Sequence, residues 1–211
     1  MKHVIVGAHL RREDVEPVAA ALPAGDLFLS GVEIADDQPL GDRDLLLRVA
    51  KTRAALLERA TFLAIRYGFS VWAAAEAAAK SAAHLGRWKR VLEENRDRVE
   101  MTLKVAAESP KPRPDRREFA NGSEYLRALH ASAARVDDGF RSAVETRVAP
   151  LRGKWVPRDN ASLEYAALVE RADVERVTRA GEELRQLFPR VPFLLSGPWP
   201  LEVFGEEDER P

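Results

Sequence analysis

An apolar run that meets a Gly-Pro-Trp-Pro corner near the C-terminus constrains this chain more than any other stretch. The run covers residues 191–196, the length of a β-strand, and the corner follows at residues 197–200. Each proline fixes its own φ angle, removes a hydrogen-bond donor and pushes the preceding residue toward extended backbone. The pattern predicts the last strand of a sheet, ending in one fixed bend at Gly197. Because two prolines hold Trp199 in one orientation, we expect this side chain to pack against the C-terminal half of the chain.

Composition sets broad limits on the class of protein. The chain has 211 residues, 45% hydrophobic and 32% charged, which is enough for one large domain or two small ones with a real core. The net charge of −1 gives no global field that favours nucleic acid or an anionic membrane surface. The absence of cysteine excludes disulfides, thiolate chemistry and cysteine metal sites, and it suits a reducing cytoplasm.

The sequence favours neither a secretory signal nor a transmembrane segment. The N-terminal apolar run, residues 1–6, is shorter than a secretory hydrophobic region. The most apolar long window, residues 60–79, contains Arg66, Gly68 and Glu76. The charges of Arg66 and Glu76 argue against a membrane-spanning helix, so we expect no transmembrane segment.

Hydrophobic periodicity predicts an α+β fold with the element order β-α-β-α-β, two helices, and β-α-β-α-β again. Apolar residues follow a period of about two in the expected strands and recur every three or four residues in the expected helices. The predicted strands are residues 4–10, 27–34, 61–68, 99–105, 163–169 and 191–196. The predicted helices are residues 11–22, 42–59, 71–83, 86–98, 123–148 and 173–188.

This order predicts two small α+β domains with a helical connection between them. Each half can form a small sheet with its helices on one face. The expected division is an N-terminal domain over residues 1–70, connecting helices over residues 71–98 and a C-terminal domain over residues 99–211.

The helical segments carry signals for capping and for close packing. Asp42 or Asp44 is placed to cap the helix predicted over residues 42–59, and Asp173 is placed to cap the last helix. Gly181 lies on the apolar stripe of that last helix, where glycine costs about 1 kcal/mol relative to alanine. We therefore expect the helix to pack closely against a neighbour at Gly181.

Residues 99–105 give the cleanest strand alternation, with Glu100 and Lys104 on the polar face. Arg66 is the charged residue inside another predicted strand, at residues 61–68. We expect Arg66 to pair with a carboxylate, Glu100 being the first candidate, near the junction of the halves. Two independent solvated charges are the alternative.

No motif in the chain points to catalysis or to a cofactor. The four histidines have no metal-ligand spacing, and neither a glycine-rich phosphate loop nor a Gly-x-Ser-x-Gly elbow is present. The carboxylates sit mostly beside arginines on predicted helix faces, where solvated pairs are the rule. We therefore expect a protein that is not an enzyme and carries neither cofactor nor metal.

Four separated stretches resemble one known family, the gas vesicle GvpF/GvpL family. Residues 63–68, Leu-Ala-Ile-Arg-Tyr-Gly, resemble its Leu-Pro-Val-Arg-Phe-Gly string, and residues 99–105 resemble its Val-Glu-x-Gly-Val-Lys-Val strand. Residues 163–169 lie where the family has an apolar strand before its last helix. Residues 196–200, Ser-Gly-Pro-Trp-Pro, match its closing Thr-Gly-Pro-Trp-Pro string, and Phe204 follows where an aromatic residue is expected.

The resemblance covers residues 42–204 and has departures. Ala64 stands in place of the family's proline, Phe69 in place of its threonine and Thr102 in place of its glycine. The part before Asp42 matches poorly and looks short. Contacts that the family makes through its N-terminal region are therefore in doubt for this chain.

The resemblance implies a two-domain α+β protein whose halves are ferredoxin-like variants. It implies an accessory protein of gas vesicle assembly, a minor component beside the shell protein, located with gas vesicles in the cytoplasm. Its expected partners are the hydrophobic shell protein and other gas vesicle accessory proteins. No catalytic residue or cofactor comes with the family. The candidate structural or interaction residues are Arg66, Tyr67, Gly68, Glu100, Lys104, Gly197, Pro198, Trp199 and Pro200.

Two alternatives stay open at the level of sequence. A small-molecule-binding protein or an enzyme is possible on the same α+β scaffold, because such folds carry many functions; a deep polar pocket would favour it. Two segments could cover apolar surface on a shell subunit: the alanine-rich residues 71–83 and the predicted helix 42–59. The same residues could instead serve the protein's own core. On the helix, the apolar residues are Leu45, Leu46, Val49, Leu56 and Leu57.

Overall fold

The computed structural model describes residues 2–106, 115–126, 136–148, 152–159 and 162–204. Its contacts group the chain into two compact units. Unit 1 consists of Met1–Val99 and Trp199–Pro211, and unit 2 consists of Glu100–Pro198. The chain therefore leaves unit 1 once, forms unit 2, and returns to unit 1 at Trp199.

Unit 1 is built on one sheet with the strand order β2-β3-β1-β4, and β5 also pairs with β1. The pairings of β1 with β3, β4 and β5, and of β2 with β3, are antiparallel. The strands are β1 (Lys2–His9), β2 (Ala20–Ala24), β3 (Leu27–Ile34), β4 (Leu63–Ala64) and β5 (Ser70–Val71). The helices are α1 (Arg43–Arg59), α2 (Ala74–Ser81) and α3 (Leu85–Glu94).

Helix α1 forms as the sequence predicts and supplies one side of the core of unit 1. Its N-terminus is capped by Asp42, whose side chain accepts a hydrogen bond from the Leu45 N–H at 2.8 Å. Leu45 and Val49 are buried against the sheet. Their partners on the strands are Val4, Val6, Val32 and Ile34.

Two predictions in unit 1 are wrong. The helix expected over residues 11–22 is a short 3-10 turn, Arg12–Asp14, followed by strand β2. Pro17 cannot continue a helix, while Pro23 fits in β2 because this strand lies at the sheet edge. The single strand expected over residues 61–68 is instead the two short strands β4 and β5, separated by a turn in which Gly68 has a φ of 102°.

Unit 2 contains a four-stranded sheet with the order β7-β8-β6-β9. Its described elements follow one another as strand, helix, two strands, helix and strand. This succession and strand order are those of a ferredoxin-like fold. The strands are β6 (Arg98–Ala106), β7 (Arg152–Asp159), β8 (Ser162–Glu170) and β9 (Phe193–Trp199). The helices are α4 (Asp138–Val148) and α5 (Val174–Leu187).

The core of unit 2 lies between this sheet and its helices. Alternate residues of β6 and β8 point toward Phe140 and Val144 of α4 and toward Val177 and Leu184 of α5. The sheet contributes Met101, Leu103, Val105, Leu163, Tyr165, Ala167 and Val169. The strand order in unit 1 is the same as in unit 2, but a 3-10 turn takes the place of the first helix. Unit 1 is thus a variant of the same arrangement, and the predicted α+β class is confirmed.

Unit 2 also corrects two predictions. Strand β7 was missed, because Gly153 and Pro157 interrupt its pattern, and both are tolerated on an edge strand. The long helix expected over residues 123–148 is not continuous. Residues 136–137 are not helical, and Asp137 instead accepts a hydrogen bond from the Phe140 N–H at 2.8 Å at the start of α4.

Several predicted segments fall outside the described residues or remain untested. The proline-rich residues 109–117 predict a loop and the acidic residues 206–211 predict a frayed tail. Most of the first segment and all of the second lie outside the described residues. The contacts place α2 and α3 with unit 1, where α2 packs on β2 and β5. A division into folding domains after residues 70 and 98 stays a prediction.

Candidate functional site

The Gly-Pro-Trp-Pro corner begins where β9 lies against β6. Gly197 has a φ of 126° and precedes a cis peptide bond to Pro198. A Cβ on Gly197 would lie 2.7 Å from Met101 Sδ and 3.0 Å from the carbonyl oxygen of Glu100. Both the backbone angle and the contact distance therefore require glycine at this position.

After the corner, the chain is anchored in unit 1. The Leu201 N–H donates to the Phe62 carbonyl oxygen at 3.0 Å, and the Ala64 N–H donates to the Leu201 carbonyl oxygen at 2.8 Å. Leu201 is fully buried, and Phe204 is 4% exposed. These contacts hold the returning segment beside β4.

Trp199 belongs to unit 1 and is 47% exposed. The prediction that it packs against the C-terminal half is therefore wrong. The buried positions after the bend are taken by Pro200 and Leu201, and the backbone pairing of Leu201 leaves the indole ring at the surface. Two prolines fix the direction of a side chain, but they do not determine whether it points inward.

The second motif, at residues 66–68, has one anchored residue and one exposed residue. Tyr67 donates its hydroxyl hydrogen to the Leu40 carbonyl oxygen, and its ring packs against the core of unit 1. Arg66 is exposed, and Gly68 has open space around the position of a Cβ. Tyr67 therefore fixes the motif, while Arg66 is exposed at the surface.

The remaining candidates lie on β6. Glu100 is 2% exposed although the alternation predicts a polar face there, and Lys104 is exposed. The structure brings Glu100 to Gly197, because its carbonyl oxygen limits the space at the glycine. An ion pair between Arg66 and Glu100 stays a prediction.

Unit 1 also contains a cleft of about 270 Å³ that sequence reasoning missed. Arg66, Lys80 and Arg87 line it together with a single carboxylate, Glu202. An aromatic wall is provided by Trp88, whose ring stacks on His84 with the ring centroids 5.4 Å apart. The residues come from separate parts of the chain, and of these only Arg66 belonged to a recognisable motif.

Hydrogen bonds and burial shift the pKa values of charged side chains beside this cleft. Arg53 donates to the Ile65 carbonyl oxygen at 2.5 Å, and burial lowers the pKa of its guanidinium while the charge of Glu202 opposes that shift. Lys80 lies 2.7 Å from Glu76, and the hydrogen bond between them holds the pKa of Glu76 below its ordinary value. Lys80 also donates to the Ser70 carbonyl oxygen at 3.2 Å.

A buried histidine lies next to the anchored C-terminal segment. His9 stacks on Phe62 with a centroid separation of 5.0 Å, and its Nε2 lies 3.0 Å from Ser30 Oγ. Burial lowers the pKa of His9 to about 3, so the imidazole is neutral at physiological pH. Because Phe62 also accepts the Leu201 hydrogen bond, His9 belongs to the packing that holds the returning segment.

The described parts of the chain contain neither a metal-binding cluster nor a membrane-spanning helix. Within those parts, no three or more His, Asp or Glu side chains are grouped so that they could hold a metal ion. Among the helices that the structure describes, none has the length and apolar character needed to cross a membrane.

Comparison with known proteins decides the family. Residues 15–201 match the family model described as gas vesicle synthesis protein GvpL/GvpF. The chain belongs to this family. The match begins well before residue 42, so the family likeness extends further toward the N-terminus than the motifs indicated.

Two solved structures of the family share the fold of this GvpL/GvpF protein. Gas vesicle protein GvpF from Microcystis aeruginosa aligns with a TM-score of 0.71 at 11% identity, over 97% of this chain and 99% of that one. GvpF from Anabaena sp. PCC7120 aligns with a TM-score of 0.64 at 12% identity, over 97% and 98% of the two chains. Comparison with curated proteins returns no match.

Proposed function

We propose that this GvpL/GvpF-family protein is a non-enzymatic accessory protein of gas vesicle assembly. It binds the hydrophobic shell subunit or another accessory protein, and it acts at the gas vesicle without a cofactor. A shell subunit that forms a water-excluding wall has apolar surface exposed before incorporation, and such surface aggregates unless a partner covers it. The family match and the likeness to GvpF structures support this role.

The observation that carries the proposal is the exposure of Trp199. Trp199 belongs to unit 1, where Pro200 and Leu201 after it are buried and the Leu201 backbone is hydrogen-bonded to Phe62 and Ala64. The indole is therefore carried on backbone that is anchored immediately after it, while its ring is 47% exposed. A pre-ordered aromatic side chain loses little conformational entropy when a partner covers it, which is why tryptophan is frequent at binding hot spots.

Four of the five apolar stripe residues of α1 are buried, whereas Leu46 is 43% exposed. Leu45 and Leu56 are fully buried, and Val49 and Leu57 are 5% and 8% exposed. These four residues belong to the core of unit 1, so little of the predicted stripe remains to cover a partner. The proposal assigns the partner contact to Trp199 instead.

Direct binding to the purified shell subunit tests the proposal. Immobilised wild-type protein should retain the shell subunit, and Trp199→Ala should weaken retention about tenfold or more, as expected for a hot-spot tryptophan. Trp72→Ala is the matched control, because Trp72 is 50% exposed elsewhere in unit 1. This control variant should bind like wild type.

Two results would contradict the proposal. One is a wild-type protein that retains neither the shell subunit nor any gas vesicle accessory protein. The other is a Trp199→Ala variant that binds as tightly as the Trp72→Ala variant while both remain folded. Circular dichroism and thermal unfolding of each variant establish that the binding comparison is made on folded protein.

A further inference from the structure

The cleft in unit 1 is lined by more cationic than anionic side chains. Three cationic side chains line it, those of Arg66, Lys80 and Arg87, against the single carboxylate of Glu202. The whole chain has a net charge of −1. Lys80 is already paired with Glu76 at 2.7 Å, and the lining still has more cations than carboxylates. A concave wall with an excess of positive charge concentrates ligands of the opposite sign, so this cleft favours an anionic group.

The floor of the cleft offers a further polar group. Ser81 lines it at the end of α2 and is 1% exposed. Among the described residues, its Oγ has no hydrogen-bond partner. A buried hydroxyl without a partner costs free energy, and a ligand acceptor at the cleft floor would remove that cost.

The walls of the cleft include apolar side chains, and the volume of the cleft limits the size of the ligand. Ile65, Phe69 and Trp88 line it beside the charged residues. Its volume of about 270 Å³ lies below the usual range for small-molecule sites, roughly 300–1,000 Å³. This space suits one or two side chains of a peptide better than a nucleotide-sized cofactor.

We propose that this cleft binds an acidic segment of a partner protein. A carboxylate of the segment pairs with the exposed guanidinium of Arg66, and a neighbouring apolar side chain lies against Trp88. The inference rests on the proposed function, because it adds a second contact for an assembly partner and names the chemistry of that contact. Trp199 is not among the residues that line the cleft.

A peptide probe tests this without the shell subunit. The probe is a fluorescein-labelled decapeptide that is rich in glutamate and contains leucine. Fluorescence anisotropy measures its binding to the full chain. The same peptide with glutamine in place of glutamate is the neutral probe. We expect the acidic probe to bind about tenfold tighter or better than the neutral one, and the preference to fall with added salt.

Charge-matched variants locate the binding. Arg66→Glu should weaken the acidic probe about tenfold or more. Arg43→Glu makes the same change in net charge at an exposed position of α1 and should change affinity by less than about twofold. Ser81→Ala should weaken the probe about threefold. Trp199→Ala should leave probe binding unchanged, which separates a failure of this inference from a failure of the proposed function.

Three outcomes overturn the inference. The first is equal binding of the acidic and neutral probes, or no binding of either. The second is equal binding by wild type, Arg66→Glu and Ser81→Ala. The third is a variant ending at Gly205 that binds the acidic probe about tenfold tighter than the full chain. That result would assign the cleft to the chain's own acidic residues 206–209 instead of a partner.

Discussion

Two of the four motifs that carry the family resemblance place a glycine of positive φ in opposite surroundings. Gly68 has a φ of 102° and no atom within 4 Å of a Cβ position, whereas Gly197 has a φ of 126° and Met101 Sδ at 2.7 Å from that position. Gly68 is required by backbone conformation alone. Gly197 is required by conformation and by packing against β6. The same residue type thus marks a free turn in one region and an anchored corner in the other.

Substitution of the two glycines by alanine tests this comparison with the largest expected effect. Gly197→Ala combines backbone strain with a collision against β6 and should lower the free energy of unfolding by about 3–5 kcal/mol. Gly68→Ala carries the strain alone and should cost about 1–2 kcal/mol. Urea unfolding followed by circular dichroism measures both. Equal losses in the two variants would remove the distinction between the regions.

A second pair of variants separates the buried and the exposed residue of the corner. Leu201 is fully buried, so Leu201→Ala should lower the free energy of unfolding by about 2–5 kcal/mol. Trp199 is 47% exposed, so Trp199→Ala should cost less than about 1.5 kcal/mol, in spite of the larger side chain that it removes. Urea unfolding of the two variants under one condition makes the comparison. A larger loss of unfolding free energy in Trp199→Ala than in Leu201→Ala would contradict the surface position of Trp199 and indicate that it packs in the core.

Acid should weaken the anchored region through His9. Its pKa is about 3 in the folded protein and ordinary in the unfolded chain, so the unfolded state binds the proton between these values. The stabilisation is complete above about pH 6.5 and is lost as the pH falls, at roughly 1.4 kcal/mol per pH unit. Between pH 6.5 and pH 5, the loss from this group should be about 2 kcal/mol.

The control for this titration is an exposed histidine. His9→Gln should flatten the dependence of unfolding free energy on pH between pH 5 and pH 6.5, a window set by the ordinary histidine pKa of about 6.5. His84→Gln, at an exposed position, should leave the slope as in wild type. If both variants keep the wild-type slope, His9 is not the group that titrates.

The smallest expected effect concerns the anchor of the exposed motif. Tyr67→Phe removes the hydrogen bond to the Leu40 carbonyl oxygen and should cost about 1 kcal/mol. Arg66→Ala, next to it on the surface, should change stability by less than about 0.5 kcal/mol. Thermal unfolding of the two variants compares them. An Arg66→Ala variant that loses more than Tyr67→Phe would show that Arg66 is structural.

The sequence correctly predicted the helices and strands whose capping residues and apolar pattern lie within one continuous segment. Helix α1 has both its capping residue Asp42 and its apolar stripe in one segment, and β8 is a continuous apolar run. Strand β2 escaped prediction because its apolar spacing also fits a helix, and only pairing with β3 decides between them. Strand β7 escaped because glycine and proline break its pattern, although an edge strand accepts both.

The candidate site was less predictable than the fold. Sequence reasoning identified the corner at Gly197 and the close approach at Gly181, where a Cβ would lie 2.5 Å from Leu195 Cδ2. It could not foresee the exposure of Trp199, because this depends on which neighbour pairs with β4. The cleft beside Arg66 depends on residues far apart in sequence, so no single motif marks it.

Complementation of a deletion strain tests the central claim most directly, that this protein acts in gas vesicle assembly through Trp199. Vesicles per cell are counted by electron microscopy after the gene is deleted and after each variant is restored. Deletion should abolish or shrink the vesicles, wild type and Trp72→Ala should restore them, and Trp199→Ala should not, although the variant accumulates as folded protein. A deletion strain with normal vesicles in normal numbers would contradict the assembly role, and full restoration by Trp199→Ala would contradict the part assigned to this residue.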